Sequence, residues 1–156
     1  MRPEILYPLF RPVTALKGVG PRIGALIGKC TGPSLVHLLW HKPSGLIDRR
    51  HAPKIQDAKP GIIATITVQI DKHQKPPNKR MPYKIICSDE TGSLTLVFFR
   101  AHQDYLRKLL PEGKIRVISG QIEKFGSEIQ ISHPDHVVSS NERESIMKIE
   151  PLYPLT

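Results

Sequence analysis

The 156-residue chain has little of what marks most specialised proteins. Its two cysteines, Cys30 and Cys87, lie far apart and each within an apolar segment. That argues against a disulfide scaffold and fits a reducing cytosol. No run reaches the ~18 consecutive apolar residues that span a bilayer as a helix, so no membrane partner is expected. The N-terminus is proline-broken and carries Glu4, unlike a secretory leader. Nucleotide and metal motifs are missing too. In the stretch from Gly24 to Cys30 the glycines stand one residue too close for a phosphate-binding loop, and Cys30 replaces the hydroxyl that would hold Mg²⁺. Gly18-Val19-Gly20 lacks the preceding strand of a dinucleotide fold. His133-Pro134-Asp135-His136 offers two ligands but no second pair at metal spacing. No nucleophile triad or paired carboxylates stand out. A binding domain without cofactor or metal is expected, and not an enzyme.

Acid is the scarcest charge, with 14 Asp+Glu against 23 Lys+Arg and a net charge of +9. The excess is uneven. Residues 1–60 hold 10 basic and 3 acidic side chains, residues 61–110 hold 8 and 4, and residues 111–156 reverse the balance at 5 and 7. A basic first two-thirds suits a polyanionic partner. A solvated basic surface gives the same count.

What is present is a change of period. In residues 1–60 the spacing is helical. Pro21 sits at a first helical position, and Ile23, Leu26 and Ile27 make one apolar face. Ser34 caps a second short helix with Leu35, Leu38 and Leu39 as its buried stripe. From residue 61 the period becomes two. Strands are expected over 63–70, 83–88, 93–99, 114–119 and 128–132. In the first, Ala64, Ile66, Val68 and Ile70 face inward, and Thr65, Thr67 and Gln69 outward. A loop is expected over 72–82. A helix is expected over 101–110, with Tyr105, Leu106 and Leu109 on one side. Residues 139–145 read as a polar linker and 146–156 as a tail.

Five strands with a helix between the third and fourth is the order of an OB-fold, a small partly open barrel, with an open sandwich as the alternative. The expected organisation is therefore mainly β with a helical N-terminal part. Residues 1–60 form a small helix-hairpin-helix-like region, 61–138 the five-stranded barrel and 139–156 a linker. OB-folds bind ligands on strands two and three and on the loops joining strands one to two and four to five.

Those addresses hold cations and rings. The first loop carries Lys72, Lys75, Lys79 and Arg80, either as phosphate contacts or as a solvated tip. Strand three ends in Phe98-Phe99-Arg100. Neighbouring strand residues point to opposite faces. Leu94, Leu96 and Phe98 form the larger apolar set, which leaves Phe99 outward beside Arg100. An exposed ring next to a guanidinium is a platform for an unpaired base, unless the following helix covers it. Tyr105 could add a second ring. Lys124 and Phe125 occupy the other loop, at a turn suited to Gly126. In the helical part, Lys17 and Arg22 flank a Gly-Val-Gly-Pro hairpin. In helix-hairpin-helix proteins such a hairpin presents backbone N–H groups to a DNA phosphate, or serves only as structure.

With these residues in hand, the chain resembles the N-terminal region of the RecG family of bacterial ATP-dependent DNA helicases. The resemblance runs from Pro12-Val13-Thr14-Ala15-Leu16-Lys17-Gly18-Val19-Gly20-Pro21 through Ser34–Pro43 and Ile47-Asp48-Arg49-Arg50. It continues through Gly92–Phe99 and Ile131-Ser132-His133-Pro134 to Glu150-Pro151-Leu152-Tyr153-Pro154-Leu155-Thr156. It implies an OB-fold wedge that splits strands at the branch point of a replication fork or Holliday junction. The wedge would act in fork reversal and branch migration during DNA repair and recombination, in the nucleoid-associated cytoplasm. The family's branch-point aromatics map onto Phe98 and Phe99, with Tyr105 as candidate for a further tyrosine. Helicase motor domains would follow in cis, with ATP and Mg²⁺ as their cofactors and single-stranded DNA-binding protein as a further candidate partner. A protein-interaction or RNA-binding OB module is the alternative.

Overall fold

A computed structural model describes residues 3–78, 80–100 and 102–154. The chain forms two compact units, residues 1–46 with 151–156 and residues 47–150.

In the first unit, 3₁₀ turns at Glu4–Phe10 and Val13–Ala15 precede α1 (Pro21–Cys30) and α2 (Leu35–Trp40). Pro21 opens α1, since its missing N–H costs nothing where no intrahelical partner exists. Ser34 caps α2, accepting from the His37 N–H and donating its own N–H to His37 Nδ1 at 3.2 Å. The Gly18–Gly20 hairpin follows a single 3₁₀ turn, where a helix-hairpin-helix would have a full helix. The stripe of α2 expected to be buried is not fully so, and the apolar face of α1 is open too. Ile23 and Leu26 are about half exposed, Leu39 is 71% exposed, and only Gly24 of α1 is buried.

The chain then runs through β1 (Gly45–Asp48), β2 (Ile63–Gln74), β3 (Tyr83–Ser88), β4 (Ser93–Phe98) and α3 (Gln103–Leu109). It continues with β5 (Ile115–Gln121), β6 (Glu123–Phe125), β7 (Glu128–Ser132), β8 (His136–Val138), α4 (Arg143–Ile146) and β9 (Ile149–Leu152). In the barrel β2 pairs antiparallel with β3 and with β5, and β3 pairs antiparallel with β4. The β4–β7 pairing is parallel, and β6 pairs antiparallel with β7. Only Ile122 separates β5 from β6, so the two are halves of one bent strand that carries the ring from β2 round to β7. Gly120 permits the bend, because a Cβ there would lie 2.7 Å from Ile131 Cγ2. This is the five-stranded mainly β architecture of an OB-fold, with β8 added at the edge of β5.

The inward set of β2 is as expected, and Leu94, Leu96 and Phe98 join it in one core with Ile85, Leu106, Leu110 and Ile131. The Cys87 thiol lies in this core. Burial, and then the Asp71 carboxylate, push it up to about 12, so it stays protonated and inert.

Several expectations need correction. β2 runs on to Gln74, so Lys72 lies on a strand and not in the loop. A bulge between Ile70 and Lys72 shifts the register there, letting the strand outlast its apolar alternation. Thr65 is buried, because Arg49 approaches that face. Thr65 Oγ1 donates to the Arg49 carbonyl at 2.8 Å and shares a 2.9 Å hydrogen bond with Ser119 Oγ. Thr95 and Val97 are buried as well, flanked by β3 on one side and β7 on the other. The α3 helix buries Leu106 but leaves Tyr105 exposed.

The boundary falls at residues 46/47, not 60/61. Ile55 and Ala58 enter the barrel core. Arg49, 3% exposed, donates to Glu150 at 2.7 Å, Asp135 at 2.9 Å and Ser119 at 3.1 Å. Burial works against its charge, but the two carboxylates outweigh that and raise its pKa above the ordinary value. Residues 139–152, expected as linker, form a capped 3₁₀ turn, α4 and β9, with Ile146 buried.

Candidate nucleic-acid interface

The chain reverses direction between β2 and β3, and the base of that hairpin is fixed by His73. Its Nε2 lies 2.6 Å from the Leu110 carbonyl, which can only accept. Nε2 therefore carries the proton. In the neutral ring Nδ1 then accepts from the Tyr83 hydroxyl at 3.0 Å. The His73 N–H donates to Glu112 Oε1 at 2.8 Å. The loop above this base holds Lys75 and Arg80, both exposed. Asn78 Oδ1 accepts the Arg80 N–H at 3.0 Å and shapes the turn. Lys79, expected among the phosphate contacts, lies outside the described residues. Lys72, now on β2, is exposed.

At the end of β4 the aromatic pair diverges as strand geometry requires. Phe98 turns into the core at 9% exposure, and Phe99 is 58% exposed. His133 braces the corner. Its own N–H donates to the Val97 carbonyl at 2.9 Å, and its Nε2 accepts the Phe99 N–H at 3.2 Å. Its ring meets Phe98 edge-on at 5.9 Å and lies tilted against Phe99 at 5.6 Å. Of the non-glycine residues described, only His133 has a positive φ, +46°. That conformation aims its imidazole back at the pair.

A cleft of about 310 Å³ joins hairpin and corner, lined by Pro76, Met81, Tyr83, Phe98, Phe99, Arg100 and Gln103. Phe99 and Arg100 thus share one concavity with Pro76 and Met81 of the loop, whose cations do not line it, and α3 does not cover the Phe99 ring. Tyr105 is 61% exposed on α3 but does not line this cleft. Phe125 (66% exposed) and Lys124 stand on the β6–β7 hairpin, which turns at Gly126 with φ +62°. Lys17 and Arg22 are exposed in the helical unit.

Sequence reasoning missed Met81, Gln103 and His133 as parts of this site. His133 enters the sequence reading as a possible metal ligand and as part of the family resemblance, and neither points to a brace on Phe99. No group of side chains able to hold a metal ion occurs among the described residues. Nor is any helix among them long and apolar enough to cross a membrane.

The RecG wedge domain model matches residues 12–156. The chain belongs to the RecG wedge domain family. It is 26% identical to the ATP-dependent DNA helicase RecG of Pasteurella multocida over 147 residues, which are 93% of this chain and 21% of that relative. It is 28% identical to RecG of Aquifex aeolicus over 115 residues, 74% of this chain and 14% of that one. The chain therefore spans about a fifth or less of these relatives. A solved structure of RecG bound to a three-way DNA junction superposes with a TM-score of 0.78 at 26% identity, covering 95% of this chain and 20% of that one.

Proposed function

We propose that this wedge domain binds branched DNA and splits strands at the branch point. The observation that carries the reading is the pairing of an open ring, Phe99, with Arg100 in one cleft whose other wall, Pro76 and Met81, belongs to the loop that carries Lys75 and Arg80. Phe99 stacks on the first unpaired base, a contact of ~1–3 kcal/mol that tolerates any base because each has a π-face. Lys72, Lys75, Arg80 and Arg100 neutralise the flanking phosphates. Phe125 with Lys124 extends the basic, aromatic surface along the second hairpin, and Tyr105 offers a further ring. His133 holds the Phe99 backbone, so the ring is positioned before DNA arrives and less ordering is required on binding. Likeness to a RecG that was solved on a three-way junction supports the branched substrate. In that setting the wedge would work in bacterial cytoplasm beside ATP- and Mg²⁺-dependent motor domains in cis, in fork reversal and branch migration, with single-stranded DNA-binding protein nearby.

The test is a comparison of this chain's affinity for a forked duplex and a plain duplex at matched salt. The fork should bind more tightly, and both affinities should fall with salt by about 0.9 log units per log unit for each phosphate neutralised. Equal affinities would overturn the reading.

A further inference from the structure

A second cationic cleft lies on the barrel unit, lined by Ala52, Pro53, Lys54, Thr65, Thr67 and Arg143, with a volume of about 320 Å³. None of the residues that line the Phe99 cleft lines this one. Its notable atom is Arg143 Nε, which is buried and has no hydrogen-bond partner among the described residues. An unsatisfied buried donor costs ~1–3 kcal/mol, and a charged one more, so such groups are rare unless a ligand completes them. No carboxylate lines the cleft. The Thr65 hydroxyl is spent on Arg49 and Ser119, but Thr67 is exposed on the same strand. Lys54 is paired with Glu90, and both are more than half exposed. Such a surface pair contributes ~0–1 kcal/mol, so Lys54 can exchange Glu90 for a better anion.

A neighbouring cleft of about 400 Å³ shares Lys54 and Thr67 but also carries Asp89 and Glu90, which repel anions. The smaller cleft is thus the one suited to an oxyanion. A guanidinium, an ammonium and a hydroxyl lining one space match a tetrahedral phosphate.

We propose that Arg143, Lys54 and Thr67 form a phosphate-binding subsite that takes a backbone phosphate of duplex DNA. It acts without reading sequence or branching, and it adds a duplex anchor separate from the stacking corner.

The test uses the whole ¹⁵N-labelled chain. The Nε–H signal of Arg143, assigned by its loss in Arg143→Lys, is followed on titration with a plain DNA duplex and, separately, with inorganic phosphate. It should shift with both. A shift with phosphate alone would overturn the DNA assignment, and no shift with either would overturn the subsite. Arg143→Gln should weaken plain-duplex binding about fivefold at 0.15 M salt and reduce the log–log salt slope by about 0.9, the contribution of one phosphate contact. Arg143→Lys should keep the slope, because the charge stays. Unchanged affinity and slope in Arg143→Gln would also sink the proposal. Failure here is separable from failure of the branch-point reading. Arg143→Gln should lower fork and duplex affinity together and leave their ratio alone, whereas Phe99→Ala should change the ratio.

Discussion

The two units of this chain treat their apolar residues in opposite ways. The barrel, residues 47–150, buries its large aliphatic side chains in one cluster that includes Ile66, Ile70, Ile85, Leu96, Ile118 and Ile131 at 1% exposure or less. Among its few exposed large apolar residues are three aromatics, Phe99, Tyr105 and Phe125. The helical unit is reversed. Val13 is its one fully buried large apolar residue among those described, and Ile5, Leu39, Trp40 and Leu46 stand at 68–84% exposure. An exposed ring on a barrel with a complete core is available for binding. An exposed leucine on a short helix with hardly any core shows only that the helix lacks a face to pack on. Exposure therefore bears on the proposed binding role in one unit and on thermodynamics in the other.

The sharpest way to break that contrast is to truncate an apolar side chain in each unit. Leu96→Ala, at a fully buried site, should cost about 2–5 kcal/mol in denaturant unfolding of the barrel. Leu39→Ala should stay within about 0.5 kcal/mol, as for other surface changes. The chain's single tryptophan, Trp40, lies in the helical unit. Its fluorescence should report an earlier, broader transition than the far-ultraviolet signal of the strands. Coincident transitions would show one cooperative body and remove the contrast. Arg49→Ala comes next, at about 3 kcal/mol. This is the low end for breaking a buried ion pair, because the Asp135 and Glu150 carboxylates keep access to water.

How much could be read in advance divides along the same line. The barrel strands were legible because period-two alternation is strong wherever one face is buried. The divergence of Phe98 and Phe99 followed from the same rule. What failed was local. Thr65 looked solvent-facing, since nothing in β2 reveals that Arg49, sixteen residues earlier, folds over it. Lys72 looked like loop, since a bulge hides the continuation of a strand. Residues 139–152 looked like linker, because their polar composition conceals a capping box at Ser139 and an ion pair from Glu150 to Arg49. In the helical unit the stripe at Leu35, Leu38 and Leu39 predicted a helix correctly and its burial wrongly, since Leu39 is 71% exposed. Periodicity reports that a face is apolar, but not whether anything covers it. At the site, charge and ring positions were visible, while the brace from His133 needed a backbone turn that no pattern announces.

Within the barrel, the contrast between its exposed and buried rings predicts two distinct losses. Phe99→Ala should weaken fork binding by ~1–3 kcal/mol, roughly 5- to 150-fold, with little change in plain-duplex affinity or in unfolding free energy. Phe98→Ala should cost about 3–5 kcal/mol of stability instead, as for other buried rings. If both variants lose stability equally, Phe99 is a packing residue and the open-ring mechanism fails.

The smallest expected effect concerns acid. The Arg49 hydrogen bond, aided by the charges of Arg49, His136 and Lys148, holds the Glu150 carboxyl below its ordinary value despite some burial. A depressed folded-state pKa contributes stability that is present above the unfolded value and lost as pH falls through the folded one. Barrel stability should therefore decline with acidification through the carboxylate range. Glu150→Gln should be less stable at neutral pH and show a shallower decline, with the two curves converging in acid. Parallel curves would mean that the tie between Arg49 and the 147–150 segment contributes nothing to the barrel's independence. The burial of Arg49 would then have to be sustained by Asp135 and Ser119 alone.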